Sequence, residues 1–194
     1  KGMKKMSKDK IVEAARKLFY KYGFKKVSMD EIANEAGVTK RTIYMYFKSK
    51  EDLLKYFIQE EIENMKEIVE EVEKKNKDFF ETVNEAIYKL LKYRKERDFL
   101  NIITKEAEWL KNPIIIKNLQ LIDEQIQNYI REKLQKAKEK GYISFQDLDI
   151  TAFLVYKMYI ALIFEWDDKS KKLDEKMVAD SISEIIKNGL KKGR

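Results

Sequence analysis

The amino-acid sequence predicts an all-α protein of about nine helices. Three observations carry that expectation. Apolar residues recur at helical spacing in run after run, no stretch alternates as a half-buried strand would, and the breakers sit where runs end. The glycines at 23, 37, 141 and 189 and the single proline, Pro113, all fall at such boundaries.

Ser7 is expected to cap a first helix reaching Tyr22, with Ile11, Ala14, Ala15, Leu18 and Phe19 on one face and Gly23 after it. A second helix should open at Ser28, whose hydroxyl can accept an orphan backbone N–H, with Glu31 three residues on to complete a capping box. Gly37 stands where a left-handed residue would stop that helix, and Thr39 is a fresh cap for a third, so the chain turns sharply. Ala33 has little bulk where two helices must cross, and Ile32, Ala36, Val38, Ile43 and Phe47 fill the wedge between them. Ser49 caps a long fourth helix, with Glu51 and Asp52 in its positive first turn and a stripe from Leu54 to Val72.

The polar run at 74–78 breaks the pattern before a fifth helix through Phe79, Phe80, Val83, Ile87, Leu90 and Leu91. A charged interruption at 94–98 precedes a sixth from Phe99 to Leu110, and Asn112–Pro113 forces a stop, because proline lacks an N–H and restricts the residue before it. The seventh helix runs from Pro113 to Lys140. Asp147 or Asp149 starts an eighth, apolar nearly all round from Ile150 to Trp166, so it must be covered on more than one side. After a loop at 167–172, a last helix from Asp174 carries Met177, Val178, Ile182, Ile185, Ile186 and Leu190.

Charge is concentrated. The formal net charge is +7, but residues 1–50 carry +9 and residues 51–194 carry −2. A basic patch beside a helix-turn-helix is the footprint expected of a phosphate-backbone binder, whereas lysines serving solubility alone would be spread evenly. Lys4, Lys5, Lys8, Lys10, Lys25 and Lys26 are expected near that backbone. The third helix turns Thr39, Lys40, Arg41, Thr42, Tyr44, Met45 and Tyr46 outward, and cations, hydroxyls and phenols suit phosphates and base edges. With the helix caps at either side, the candidate DNA contacts are Ser28, Thr39, Lys40, Arg41, Thr42, Tyr44, Tyr46 and Lys50. Arg41, then Tyr44 with Thr42 behind it, are expected to read bases, and Thr39, Tyr46 and Lys50 to hold phosphates.

Several classes are disfavoured. The chain has no histidine and no cysteine, which removes disulfides, thiolate zinc sites, a cysteine nucleophile and the Glu-x-x-His ligands of a di-iron bundle. No phosphate-cradling glycine loop and no G-x-S-x-G are present, so neither catalysis, a metal nor a cofactor is expected. No apolar run approaches the roughly 20 residues that cross a bilayer, and nothing apolar follows the basic first residues, so a soluble cytoplasmic protein without a membrane partner is expected. A membrane-surface or structural bundle would leave the outward tyrosines of the third helix without a purpose.

The run TKRTIYMYFKSKEDLL closely resembles the signature of the TetR family of transcriptional regulators, most recognisably around Tyr44, Tyr46, Phe47, Lys48, Ser49 and Lys50. The similarity extends back through KIVEAARKLFYKYGFKKVSMDEIANEAGV. Arg41 stands where many members have glycine, and Met45 where many have histidine or another polar residue, so no relative's operator can be carried over. The resemblance implies a DNA-binding domain at 1–50 and a ligand-binding and dimerisation domain at 51–194. It further implies a homodimer formed through the last two helices, with Ile182 and Ile186 as interface residues. The expected partner is a double-stranded operator, released when a small hydrophobic or aromatic effector binds. Phe79, Phe80, Tyr88, Tyr93, Phe99, Trp109, Tyr129, Tyr156 and Tyr159 lie in the segments that surround the cavity in similar proteins. A helix-turn-helix dimer without ligand control is the alternative.

Overall fold

A computed structural model of the chain describes residues 2–75, 78–96, 99–162 and 174–190. Among them are the helices α1 (Gly2–Tyr22), α2 (Met29–Glu35), α3 (Lys40–Tyr46), α4 (Lys50–Glu73), α5 (Phe79–Glu96), α6 (Phe99–Leu110), α7 (Pro113–Glu139), α8 (Leu148–Ile160) and α9 (Glu175–Leu190). Short polar side chains set most of the starts. Asp78 accepts the N–H of Phe80 at 2.9 Å, Asn112 that of Ile114 at 3.0 Å, and Asp174 that of Met177 at 2.7 Å. Asp147 rather than Asp149 caps α8, taking the Ile150 N–H at 2.8 Å.

Two boundaries differ from expectation. α1 begins at Gly2, so Ser7 lies inside the helix; lysine and methionine are good helix formers and need no cap at that point. The charged stretch at 94–98 does not interrupt α5 before Glu96, because Arg94 turns inward and is buried. The expected end of the eighth helix at Trp166 and the loop at 167–172 lie outside the described residues.

The chain divides into two compact units, residues 1–62 with 97–121 and residues 63–96 with 122–194. Compactness therefore cuts the chain elsewhere than between residues 50 and 51. The first turns of α4 carry Leu53, Leu54, Phe57, Ile58 and Ile62, all buried, and they belong to the first unit. Phe19 of α1 anchors that unit, its ring 5.4 Å from Phe24 and 5.9 Å from Phe57. Ile11, Ile32, Ile43 and Ile103, from four different helices, are fully buried with it. Removing each such side chain from water stabilises by roughly 1.5–3 kcal/mol. Arg16 of α1 pairs with Glu60 and lies 3.8 Å from Glu61, its guanidinium 4.9 Å from the Phe57 ring, which ties α1 to α4.

In the second unit Leu91 of α5 packs against Val178, Ala179, Ile182 and Ile186 of α9. A second cluster joins Leu134 and Ala137 of α7 to Ile143 and Ala152. This corrects the expectation that Ile182 and Ile186 wait for another subunit. They are 1% and 5% exposed inside their own chain, because that face of α9 is already covered by α5. Among the described residues of α8 and α9, the large apolar side chains left exposed are Ile150, Phe153 and Leu154 of α8 and Met177 and Ile185 of α9. Among the described residues no helix is long and apolar enough to cross a membrane.

Candidate nucleic-acid interface

The helix-turn-helix is built from local capping. Ser28 Oγ accepts the Glu31 N–H at 3.2 Å, and Glu31 Oε2 accepts the Ser28 N–H at 2.7 Å, so both halves of the capping box form. The Ser28 hydroxyl, which donates to the same Oε2 at 2.7 Å, and the Ser28 N–H together hold the Glu31 carboxyl below the usual carboxylate range. Gly37, at φ +64°, makes the turn, and the Val38 N–H closes it on the Ala33 carbonyl at 2.9 Å. Thr39 then caps α3, its Oγ1 accepting the Thr42 N–H at 3.1 Å. Ile32, Ala33, Ile43 and Phe47 are buried between the helices, with Ala36 and Val38 half-buried at the edge.

The outward face of α3 keeps the residues expected there. Arg41, Tyr44 and Met45 are exposed, and Tyr46 is half-buried. Lys40 is exposed but spans back to Asp30 of α2 at 2.9 Å, a bond that raises its pKa. Thr39 and Thr42 share a hydroxyl–hydroxyl bond of 2.8 Å. Arg41 makes no ion pair among the described residues, so its guanidinium keeps all its donors for the groove. Lys10, Lys25 and Lys26 are exposed, while Lys8 lies 4.5 Å from the Tyr56 ring. The side chains of Lys4 and Lys5 lie outside the described residues.

Lys50 is placed differently from the phosphate contact expected of it. Its ammonium donates to the carbonyls of Phe24 at 2.8 Å, Lys25 at 3.2 Å and Val27 at 2.7 Å, and stands 4.6 Å from the centre of the Phe24 ring. An ammonium has three N–H donors, and all three face the protein. Burial holds its pKa below the ordinary lysine value, with Glu106 and Glu31 acting against that shift. Glu106 of α6, which sequence reasoning missed, meets the same connection from its amide side. Its carboxylate accepts the N–H of Phe24 at 2.9 Å and of Lys25 at 3.3 Å.

The aromatic residues expected around an effector do not form one group. Trp109 is 84% exposed and Tyr88 is also exposed, so neither is enclosed. The Phe99 side chain lies outside the described residues. Phe79 and Phe80 contact edge to face at 5.1 Å, and Tyr142 stacks on Phe79 at 5.4 Å. Tyr93 accepts from Asn64 Nδ2 at 3.0 Å. Tyr129 lies under Lys133 at 5.0 Å from Nζ to the ring centre.

Tyr156 and Tyr159 of α8 do come together with polar partners. The Tyr156 hydroxyl donates to Asp123 of α7, and burial, reinforced by that carboxylate, pushes the phenol well above its usual pKa. Burial raises Tyr159 as well, opposed by the nearby Arg94 guanidinium. The hydroxyls of Tyr129 and Tyr159 are buried, beside the Lys133 ammonium and the Arg94 guanidinium respectively, and make no hydrogen bond of good geometry among the described residues. Arg94 and Asp123 carried no sequence signal beyond ordinary helix charges.

Comparison with known proteins adds to this geometry. Residues 11–57 match the sequence profile described as bacterial regulatory proteins, tetR family. The chain is 32% identical over 180 residues, 93% of its length and 94% of the relative's, to the uncharacterized HTH-type transcriptional regulator YhgD of Bacillus subtilis (strain 168). The fold is shared with the fatty acid degradation regulator FadR from Bacillus halodurans, at 24% identity, covering 94% and 99% of the two chains with a TM-score of 0.70. It is shared also with the transcriptional regulator FadR from Bacillus subtilis in complex with stearoyl-CoA, at 22% identity, covering 91% and 96% with a TM-score of 0.70. A match running nearly end to end with one regulator, joined to a profile match centred on the capped helices α2 and α3, decides the assignment: this chain belongs to the TetR family and is a helix-turn-helix transcriptional regulator.

Proposed function

We propose that this regulator is a cytoplasmic homodimeric repressor that reads a near-palindromic operator with α3 and releases it when a small hydrophobic molecule binds within residues 51–194. The observation that carries the first part is the outward face of α3. Its one guanidinium is unpaired among the described residues and stands beside exposed Tyr44, on a helix whose caps are complete. Arg41 and Tyr44, with Thr42 behind them, then read base edges, while Thr39, Lys40 and Tyr46 hold the backbone with Ser28 at the start of α2.

Two further observations support the rest of the reading. Ile150, Phe153 and Leu154 recur at helical spacing on the outside of α8, with Ile185 outside α9, and a second copy of the chain is the cover that matches a self-complementary apolar face. For the effector, the support is chemical. The buried tyrosine hydroxyls at 129 and 159 make no hydrogen bond of good geometry among the described residues, with a cation beside each, and the related fold of Bacillus subtilis FadR holds stearoyl-CoA, a long apolar acyl chain on a large anionic carrier. An amphipathic effector with an apolar body and one polar group able to bond a phenol fits both facts.

Replacing Arg41 with Ala should lower the ratio of operator to scrambled-duplex affinity by about 1–3 kcal/mol, the worth of one bidentate guanine contact. Competition binding measures it, and an unchanged ratio would remove Arg41 from the base-reading set. Ile185→Glu should yield folded monomers by sedimentation, whereas Ile182→Glu should unfold the chain; a dimer that survives Ile185→Glu contradicts the proposed face. An effector found by thermal-shift screening of amphipathic compounds should weaken operator binding by the same factor by which operator weakens effector binding. A tight binder indifferent to operator would leave a helix-turn-helix dimer without ligand control.

A further inference from the structure

The connection between α1 and α2 is gripped from two sides by opposite charges. The side chains of Phe24 and Val27 are 3% exposed and anchor the connection, so the backbone polar groups of these two residues are partly buried and need partners, while Lys25 between them stays exposed. Lys50 supplies three donors to the carbonyls of Phe24, Lys25 and Val27, and Glu106 supplies two acceptors to the amides of Phe24 and Lys25. The Gly23 N–H goes to the Phe19 carbonyl at 2.9 Å and the Ser28 N–H to Glu31, which fixes both ends. Position 23 also has to be bare. Its φ is +81°, and a Cβ there would stand 2.3 Å from Glu106 Oε1.

We propose that Glu106 is a positioning residue for DNA recognition: from α6 it fixes the connection at 23–28, and so the angle at which α2 and α3 are presented to the duplex. The proposal rests on the DNA-binding reading above and adds α6 to the machinery that serves it. α2 begins at Ser28, directly after the gripped backbone, and α3 is fixed to α2 by the tight turn at Gly37. A shift in the connection therefore moves the start of α2, and α3 with it. Charged acceptors make strong bonds to N–H donors, and a withdrawal of α6 by roughly 1 Å takes the 2.9 Å bond to Phe24 beyond hydrogen-bond range. Lys50 acts on the same backbone from α4, so the two helices hold one connection jointly.

The test uses the full chain, with duplex affinity measured well below the melting temperature so that stability alone does not move it. Glu106→Ala should weaken binding about tenfold for operator and scrambled duplex alike. Glu106→Gln keeps one acceptor and should lose less, about threefold. Amide exchange at Phe24 and Lys25 should accelerate in Glu106→Ala while the α1 core stays protected. Lys50→Met should also weaken binding with an unchanged salt slope, whereas loss of a true phosphate contact lowers the slope by about 0.9, or about 1.8 for a two-fold dimer. Affinities of Glu106→Ala and Glu106→Gln within about twofold of the parent chain would overturn the proposal, and if Glu106→Ala does not fold, unchanged affinity in Glu106→Gln alone would do so. A parent chain without duplex affinity refutes the DNA-binding reading instead, a result that parent binding measured first separates from failure of the grip.

Discussion

Burying the side chains of Phe24 and Val27 draws their irregular backbone into part-buried surroundings, where its polar groups need partners that the stretch itself cannot supply. An orphaned buried amide or carbonyl costs on the order of 1–3 kcal/mol, comparable to what burying one core side chain contributes. The chain meets the requirement with two long side chains from distant elements, Lys50 and Glu106. The helix-turn-helix is thus a guest on a support made by α1, α4 and α6. That support explains why the compact unit containing it reaches to residue 62 and includes 97–121.

The electrostatics of the region separate into charges that build and charges that remain outward. Arg16, Lys40 and Lys50 are engaged with protein groups: Arg16 with Glu60, Lys40 with Asp30, and Lys50 with three carbonyls. The exposed ion pair of Lys40 is worth little in water and can yield to a phosphate, whereas the grip of Lys50 cannot be exchanged without exposing the connection. Arg41, Lys25 and Lys26 stay exposed. The N-terminal excess of positive charge thus overstates the number of cations available to DNA, because part of it is structural.

What could be read in advance follows from distance along the chain. Ser28 with Glu31 and Thr39 with Thr42 are three residues apart, so the caps, the turn at Gly37 and the outward face of α3 were legible as local chemistry. Lys50 lies 26 residues from Phe24, and Glu106 lies 82 residues from it, and no periodicity announces a bond at that separation. The apolar stripe of α9 was equally visible, but hydrophobic spacing does not say which chain covers it. Ile182 and Ile186 proved to be covered by α5, and Ile185 is the outward one. Arg94 was misread as part of a break because charge normally marks solvent, whereas here it lies buried in α5. The aromatic residues around a presumed effector were the least legible, since at helical spacing a core tyrosine and a ligand-facing tyrosine look alike; Trp109, 84% exposed, was neither.

Selection of duplexes from a random-sequence pool by the intact chain tests the central claim most directly, since it asks whether two copies of α3 read DNA in register. A symmetric dimer should enrich inverted half-sites whose centres lie one duplex turn, about 10–10.5 base pairs, or a multiple of that apart. Enrichment of a single unrepeated half-site, or no enrichment over the starting pool, would contradict the account.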